Sequence, residues 1–159
     1  VVQIRIVAVG RVREAFLRSG IEEYRKRLGP FAKVEIVEVR EEPIRDGDPA
    51  AERERVLRRE GEAILKALAP GHVIVTDIAG EMFSSEELAR YIERLRVGGD
   101  SSVTFVIGGS LGVSREVRER ADLLLSFGPV TLPHQLFRLV LIEQIYRAFT
   151  ILNGLPYHK

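Results

Sequence analysis

The chain of 159 residues contains no cysteine. This absence excludes disulfide bonds, catalysis by a thiol and metal sites built from thiolates. The sequence also lacks an uncharged apolar run of about 18 residues, which a membrane-spanning helix requires, and its first residues lack the pattern of a secretory signal peptide. We therefore expect a cytoplasmic protein that does not enter a membrane.

An excess of charge of one sign is absent too. The 24 Lys and Arg residues are balanced by 23 Asp and Glu residues, which gives a formal net charge of +1 at pH 7. A domain that binds nucleic acid through charge alone is usually strongly basic. A near-neutral total still allows such binding, because a local patch of charge matters more than the sum.

Motifs for phosphates and metals are missing as well. No GxGxxG pattern follows the first strand, and no glycine is followed by Lys and then Ser or Thr as in a P-loop. His, Asp and Glu nowhere show the spacing of a metal site, so we expect no bound metal. The sequence thus points away from triphosphates and from metal-dependent chemistry.

Five apolar segments alternate with helical patterns along the chain. Their composition and alternation predict strands at residues 2–9, 33–39, 72–78, 103–107 and 123–127. Helical spacing predicts helices at residues 13–28, 50–68, 84–95, 114–121 and 135–153, and a capping box of Ser84 and Glu87 opens the third. Strands separated by helices form an α/β fold with a mainly parallel sheet flanked by helices. No linker interrupts the pattern, so we expect a single domain over residues 1–159.

A glycine-rich loop follows the fourth predicted strand, with the sequence IGGSLG at residues 107–112. Glycines such as Gly108 and Gly109 allow backbone amides to approach a ligand without interference from a Cβ atom. Ligands of open α/β sheets bind at the carboxyl ends of the strands. The same glycines also suit a tight turn from strand to helix, so the spacing leaves a binding loop and a structural turn both open.

The last helix carries an arginine on its apolar side. Arg138 shares a helical stripe with Ile142, Ile145 and Phe149. If this stripe is buried, the guanidinium needs an acid, a carbonyl group or a ligand anion as a partner. Alternatively, Arg138 extends past the first turn of the helix to reach water.

The rest of the last helix is apolar on nearly all sides. Glu143 and Arg147, four residues apart, are expected to form a solvent-exposed ion pair. A helix with so little polar surface needs cover on both sides. Because a second subunit often supplies such cover in a small domain, we expect a homodimer.

Polar and aromatic residues flank the last helix. His134 begins it at the ligand-binding edge of the sheet, where it is either a catalytic group or a polar residue with structural partners. His72, at the start of a strand, is expected to be structural. Tyr157 offers a surface for stacking, and His158 and Lys159 offer cations for phosphates. The alternative for these last residues is a frayed terminus.

Several segments together resemble one enzyme family over essentially the whole chain: VAVG, EYRKRLGP, FVIGGSLG, TLPHQLFRLVLIEQIYRAF and YHK. The family comprises bacterial methyltransferases that act on N3 of a pseudouridine in large-subunit ribosomal RNA, and it belongs to the SPOUT class. The resemblance implies a homodimer whose C-terminal part forms a trefoil knot, an exception to the usual unknotted topology.

The same resemblance implies S-adenosyl-L-methionine as the cofactor, bound in the knot. Carried over to this sequence, the cofactor pocket consists of Thr76, Gly108, Gly109, Phe127, Gly128, Pro129, Val130, Thr131 and Leu132. Relatives often have Leu at the position of Thr76, a difference that leaves a backbone contact intact. A sulfonium cation with a neutral adenine suits backbone donors and acceptors better than a phosphate cradle does.

For the substrate, the resemblance suggests that four residues orient the pseudouridine and handle its N3 proton, namely His134, Arg138, Tyr157 and His158. That proton must leave before or during methyl transfer, so a base or an anion-stabilising cation would help. The near-neutral charge and the lack of an RNA-binding domain suggest docking on large-subunit RNA within an assembled ribosome. Two alternatives stay open: a SPOUT enzyme for another ribosomal or transfer RNA base, and a ribosome-associated binding protein without activity.

Overall fold

The computed structural model describes residues 2–159, and in this part of the chain five strands alternate with five helices. The strands are β1 (Val2–Val9), β2 (Ala32–Val39), β3 (His72–Met82), β4 (Ser102–Ile107) and β5 (Leu123–Ser126). The helices are α1 (Ala15–Leu28), α2 (Ala50–Ala67), α3 (Ser85–Val97), α4 (Arg115–Arg120) and α5 (His134–Leu152). The predicted bounds agree within two residues everywhere except at the end of β3.

The strands form one sheet in the order β2-β1-β4-β3-β5, and all of its neighbouring strands are parallel. Helices α1, α3 and α5 pack on one face, whereas α2 and α4 pack on the other. The predicted fold class, a mainly parallel sheet flanked by helices, is confirmed. The C-terminal knot stays a prediction.

Strand β1 lies near the middle of the sheet and is buried on both faces. Ile4, Ile6 and Ala8 contribute to the core under α1, α3 and α5. Val7 and Val9 contribute to the core under α2 and α4. This two-sided burial is typical of parallel sheets, whose crossover helices cover both faces.

Helix α5 packs between α1 and α3. Its residues Leu141, Ile142 and Ile145 are completely buried. Neighbouring helices of the same chain therefore supply much of the cover that we expected from a second subunit, and the homodimer stays a prediction. No helix within residues 2–159 combines the length and the apolar character needed to cross a membrane.

Strand β3 is longer than predicted because it continues through an irregularity. Its pairing with β5 shifts register between Thr76 and Glu81, so the residues between them bulge out of the regular ladder. Gly80 lies directly on the backbone of Leu124, where a Cβ atom would come within 2.6 Å of the carbonyl carbon. Asp77 and Gly80 interrupt the apolar pattern, which explains why the sequence alone predicts an earlier end.

We predict that Gly80→Ala lowers the free energy of unfolding by about 1–3 kcal/mol, the usual effect of forcing extra volume into a packed site. The added methyl group would overlap the Leu124 backbone, which cannot move without separating β3 from β5. Urea denaturation measures the change. As a control, Ile78→Ala alters a side chain that is 60% exposed and should shift stability by less than about 0.5 kcal/mol. Equal stabilities of Gly80→Ala and wild type would contradict this role of the glycine.

Candidate active site

A cleft of about 430 Å³ lies at the carboxyl edge of the sheet, where the segments after β3, β4 and β5 meet. Its volume falls within the range of roughly 300–1,000 Å³ that is usual for cofactor sites. Eight of the nine predicted cofactor residues line it: Thr76, Gly108, Gly109, Phe127, Gly128, Val130, Thr131 and Leu132. Pro129 is not among the lining residues. We refer to this site as the cofactor cleft.

Thr76 contributes to the cleft at the point where β3 leaves its regular register. Its hydroxyl group donates a hydrogen bond of 2.8 Å to the carbonyl oxygen of Val106 in β4. The hydroxyl is therefore used within the sheet, and Thr76 can offer a ligand mainly its backbone. This arrangement agrees with our expectation of a backbone contact at this position.

The glycine loop after β4 folds back on itself. The Gly112 amide donates a hydrogen bond of 3.0 Å to the Gly109 carbonyl oxygen, and Gly112 has a φ of +87°, a conformation that favours glycine. A Cβ atom on Gly108 would lie 2.5 Å from the Gly112 carbonyl oxygen. The loop is thus a tight turn and also a wall of the cofactor cleft, and its role as a binding loop stays a prediction.

Ser126 joins the segment after β5 to the bulge of β3. Its hydroxyl donates a hydrogen bond of 3.0 Å to the Ile78 carbonyl oxygen and accepts one of 3.0 Å from the Gly128 amide. The Phe127 ring packs edge-on against Phe137 of α5, with ring centroids 4.9 Å apart. These contacts fix two walls of the cofactor cleft relative to each other.

Two charged residues of the cofactor cleft were missed by the sequence analysis. Arg118 Nε lies 3.2 Å from Asp77 Oδ2, and the Asp77 side chain is only 11% exposed. Asp77 directly follows Thr76 at the strand end, a position that could have indicated it. Arg118 comes from α4, and only the fold brings it here. In the described part of the chain, no three His, Asp or Glu side chains are grouped as a metal site would require.

His134 lies in the wall of the cofactor cleft. Its Nε2 atom is buried, and among the described residues 2–159 it has no hydrogen-bond partner. Glu41 Oε2 lies 3.6 Å away, which is beyond hydrogen-bonding distance. Such an atom favours a substrate or ligand contact over a purely structural histidine. His72, by contrast, lies 2.6 Å from the Tyr91 hydroxyl at the other end of β3, as expected for a structural residue.

Arg138 lies outside the cofactor cleft. It is only 2% exposed, so our alternative that it reaches water is wrong. One guanidinium nitrogen pairs with Glu38 of β2, and another donates a hydrogen bond of 2.9 Å to the Gly10 carbonyl oxygen. Arg138 therefore has an acid and a carbonyl partner, as burial of a charge demands, while its Nε has no hydrogen-bond partner within residues 2–159. Its role in catalysis stays a prediction.

The last residues fold back onto α5, so the alternative of a frayed end is wrong. The Tyr157 hydroxyl donates a hydrogen bond of 2.6 Å to Glu143, and its ring packs edge-on against Tyr146 at 4.8 Å. The Arg147 guanidinium lies 4.7 Å from the Tyr157 ring centre. Glu143 and Arg147 do form an ion pair, but their side chains are only 19% and 24% exposed. Our expectation of a solvent-exposed pair is wrong because the C-terminal segment covers it.

Hydrogen bonds also determine the protonation of this segment. Arg147 lies 3.0 Å from His158 Nδ1, and a guanidinium can only donate, so the ring proton lies on Nε2. Nε2 in turn contacts the carboxylate of Glu86 at the start of α3. Burial and the hydrogen bond to Glu143 raise the pKa of Tyr157 well above its usual range. Tyr157 is therefore a neutral hydrogen-bond donor at physiological pH and not a base.

The four predicted substrate residues occupy three separate places in one chain. His134 lies in the cofactor cleft, and Arg138 lies beneath a neighbouring cleft. Tyr157 and His158 lie beside the middle of α5, against Glu143 and Arg147, about 14 Å along the helix axis from His134. One chain by itself does not bring these four side chains to one substrate.

Glu60 of α2 is a further residue that the sequence analysis missed. It is 4% exposed and lies under the glycine loop, where a Cβ atom on Gly109 would come within 3.0 Å of its Oε1. Its Oε2 accepts a hydrogen bond of 3.0 Å from the Glu42 amide, whereas Oε1 has no partner. Burial raises the pKa of Glu60 above its ordinary value of 4.5. In the sequence it stands among charged neighbours, and nothing there distinguishes it.

We predict that Glu60→Gln raises the free energy of unfolding at pH 8 and has little ionisation-linked effect below pH 4.5. The native state binds the proton of the Glu60 carboxyl group more tightly than the unfolded chain does. Protonated Glu60 therefore stabilises the native state at low pH, and this contribution is lost as the pH rises through the native pKa. The gain should approach about 1.4 kcal/mol for each unit by which the pKa is raised. Urea denaturation between pH 4 and pH 8 measures it. Glu62→Gln, an exposed neighbour, is the control, and an equal gain at both pH values would exclude ionisation as the source.

Comparison with known proteins places the chain in a family. Residues 2–158 match the family model described as "Predicted SPOUT methyltransferase". Relatives from Carboxydothermus hydrogenoformans and Streptococcus gordonii are 52% and 53% identical over 158 residues. Each alignment covers 99% of this chain and 99% of the relative, and both relatives are named "Ribosomal RNA large subunit methyltransferase H".

A solved structure supports the same fold. A protein from Haemophilus influenzae Rd KW20, titled a "probable methylase family protein", superimposes with a TM-score of 0.53 at 15% identity. The match covers 98% of this chain and 70% of that protein, and at this identity it concerns the fold alone. Because the family model matches nearly the whole chain, the chain belongs to the SPOUT methyltransferase family.

Proposed function

We propose that this protein transfers a methyl group from S-adenosyl-L-methionine to N3 of a pseudouridine in large-subunit (23S) ribosomal RNA. The observation that carries this proposal is the identity of 52–53%, over 99% of both chains, with relatives named as large-subunit ribosomal RNA methyltransferases. The position of the cofactor cleft, at the carboxyl edge of a parallel sheet, is where an α/β enzyme binds its ligand.

The residues of the cofactor cleft fit this cofactor. Gly108 has no space for a side chain and therefore presents backbone groups. Asp77 and Arg118 pair with each other, so the cleft has no set of unpaired cations suited to a triphosphate. The nine residues predicted from the resemblance, with Pro129 adjacent to the lining, would hold the cofactor through backbone groups and apolar contacts. When bound, the sulfonium group supplies an electrophilic methyl group.

His134 is the residue that we assign to the N3 position of the substrate base. Its Nε2 has no hydrogen-bond partner within residues 2–159, and the Glu41 carboxylate, 3.6 Å away, is beyond hydrogen-bonding distance. We assign Nε2 to hydrogen-bond the N3–H group or receive its proton. The Tyr157 hydroxyl oxygen would accept a hydrogen bond from an N–H group of the base, since its own proton is already donated to Glu143. His158 would orient the base beside it. Arg138 acts through the Gly10 carbonyl oxygen, by holding the turn next to this site.

A homodimer resolves the separation of these residues. His134 is the first residue of α5, whereas the Tyr157 hydroxyl contacts Glu143 in the middle of the helix, about 14 Å further along the helix axis. A two-fold symmetric pair can bring the middle of one α5 beside the start of the other. We therefore propose that each site combines His134 of one chain with Tyr157 and His158 of its partner.

The near-neutral charge favours an assembled ribosome over free RNA as the substrate. Net charge is +1, and non-specific affinity for RNA comes mainly from contacts between cations and phosphates. Docking on a folded ribosomal surface adds shape recognition that a short chain does not supply alone. Such an enzyme works where ribosomes are, in the cytoplasm.

Methyl transfer to purified ribosomal large subunits tests the proposed function. The wild-type protein, with methyl-labelled cofactor, should place one methyl group on a pseudouridine, located by mass spectrometry of the digested RNA. Deproteinised RNA should react much more slowly. Methylation of another ribosomal or transfer RNA base would indicate a different SPOUT specificity, and cofactor binding without any transfer would indicate a binding protein.

We predict that Tyr157→Phe lowers the single-turnover rate about 10- to 150-fold, the kinetic equivalent of one hydrogen bond to a charged group. Cofactor affinity, measured by calorimetry, should be unchanged. Tyr91→Phe makes the same change at a hydroxyl that contacts His72, and it should react at the wild-type rate. An unchanged rate for Tyr157→Phe would remove Tyr157 from the substrate site.

Mixing Tyr157→Phe with His134→Ala tests whether two chains share a site. In a symmetric dimer each mixed pair keeps one site with both wild-type residues, so random mixing should restore about a quarter of the sites. Active-site titration by single turnover measures this fraction, and sedimentation verifies the dimer. No restoration in a mixture that forms dimers would place His134 and Tyr157 in separate sites.

A further inference from the structure

A second cleft, of about 890 Å³, lies beside α1. Besides the buried Arg138, four arginine side chains border it, two from the turn that joins β1 to α1 and two from α1 itself: Arg11, Arg13, Arg18 and Arg25. All four residues are exposed. We refer to these four arginines and the space between them as the arginine cleft.

Nearby carboxylates leave most of this positive charge unpaired. Glu38 at the base of the cleft is already paired with the buried Arg138. Glu22 lies 4.0 Å from Arg25, at the limit of an ion pair. In residues 2–159 the structure shows no ion pair for the other three members, Arg11, Arg13 and Arg18. The net charge of +1 for the whole chain therefore conceals a local concentration of cations.

The turn that carries two of these arginines has a defined shape. Arg18 donates hydrogen bonds of 3.2 Å and 2.7 Å to the carbonyl oxygens of Val12 and Arg13. These neutral acceptors fix the backbone without neutralising the guanidinium. The Arg18 guanidinium is thus held in place beside the turn that carries Arg11 and Arg13.

The arginine cleft adjoins the proposed substrate site. The Arg13 amide donates a hydrogen bond of 3.0 Å to the side-chain oxygen of Gln135, and Gln135 directly follows His134 of the cofactor cleft. Val12, Ile21 and Ile36 are the apolar lining residues, and no aromatic ring lies among the lining residues. Without an aromatic ring the cleft has no stacking surface for a base, but it has guanidinium groups that suit phosphate oxygens.

We propose that the arginine cleft binds the phosphate backbone of the ribosomal RNA strand next to the target nucleotide. This inference rests on the proposed function and extends it to a second contact surface. Phosphate contacts position a nucleic acid without reading its sequence. The cleft therefore holds the strand while the residues around the cofactor cleft select the nucleotide.

The variant Arg11→Gln/Arg13→Gln tests the proposal, because it removes two charges without altering the cofactor cleft. The KM for ribosomal large subunits should rise, whereas the rate at saturating substrate and the cofactor affinity should not change. Two lost phosphate contacts should reduce the fold increase in KM between 50 and 200 mM salt by about 7- to 12-fold. The matched control is Arg53→Gln/Arg58→Gln, which removes two exposed charges from α2 on the other face of the sheet.

Several results would overturn the proposal. If the KM of the control variant lost the same salt dependence, the arginines would act through their general positive charge and not through a specific site. Dissociation of the Arg11→Gln/Arg13→Gln dimer in sedimentation would identify the cleft as a subunit interface. A photoreactive residue at the exposed Phe16 of α1 should crosslink to RNA, and crosslinking to a ribosomal protein instead would indicate an acidic protein partner.

Co-sedimentation with large subunits tests the cleft separately from methyl transfer. If the wild-type protein transfers no methyl group, the proposed function fails, but binding of large subunits can still be compared between the variants. If the wild-type protein is active and the Arg11→Gln/Arg13→Gln variant binds with wild-type affinity and salt dependence, the arginine cleft proposal alone fails.

Discussion

The buried guanidinium of Arg138 determines how the last helix meets the sheet. A charge that is only 2% exposed must keep its partners, since leaving it unpaired would cost several kcal/mol. Its partners, Glu38 and the Gly10 carbonyl oxygen, stand at the carboxyl ends of two neighbouring strands. The start of α5 is therefore tied to that edge. His134 lies one turn earlier and enters the cofactor cleft, while the turn after Gly10 forms the arginine cleft.

The cofactor cleft, in contrast, depends on backbone and on neutral hydrogen bonds. The Ser126 hydroxyl connects the β3 bulge to the segment after β5, and Gly80 permits the two strands to approach closely. The charged pair of Asp77 and Arg118 is internally neutral. Such a cleft suits a cofactor whose recognition is by shape and backbone groups. The concentrated positive charge lies next to it, where an RNA strand would run.

Much of the fold follows from the sequence, because strand alternation and helical spacing are local properties. All five strands and all five helices were predicted, and the glycine loop was placed at the correct edge, whereas the burial of Arg138 was left open. The β3 bulge was missed since Gly80 is explained only by Leu124 of another strand. In the sequence, Glu60 likewise resembles the other surface acids of α2. It is buried only because the glycine loop packs above it. These features depend on contacts between distant segments, so no local sequence pattern predicts them.

Hydrogen bonds to charged side chains also hold the C-terminal segment in place, and this bears on the proposed function. Tyr157 and His158 are held by Glu143, Arg147 and Glu86, so they form a positioned pair beside the middle of α5. Because Glu143 and Arg147 belong to α5 itself, this pair moves with the helix as one rigid unit. A second chain that places its α5 beside the first would then deliver both side chains in fixed orientation, without an ordering cost at the moment of substrate binding. In the proposed dimer, the ion pair in the middle of the helix and the one at its start would serve the two halves of one composite site.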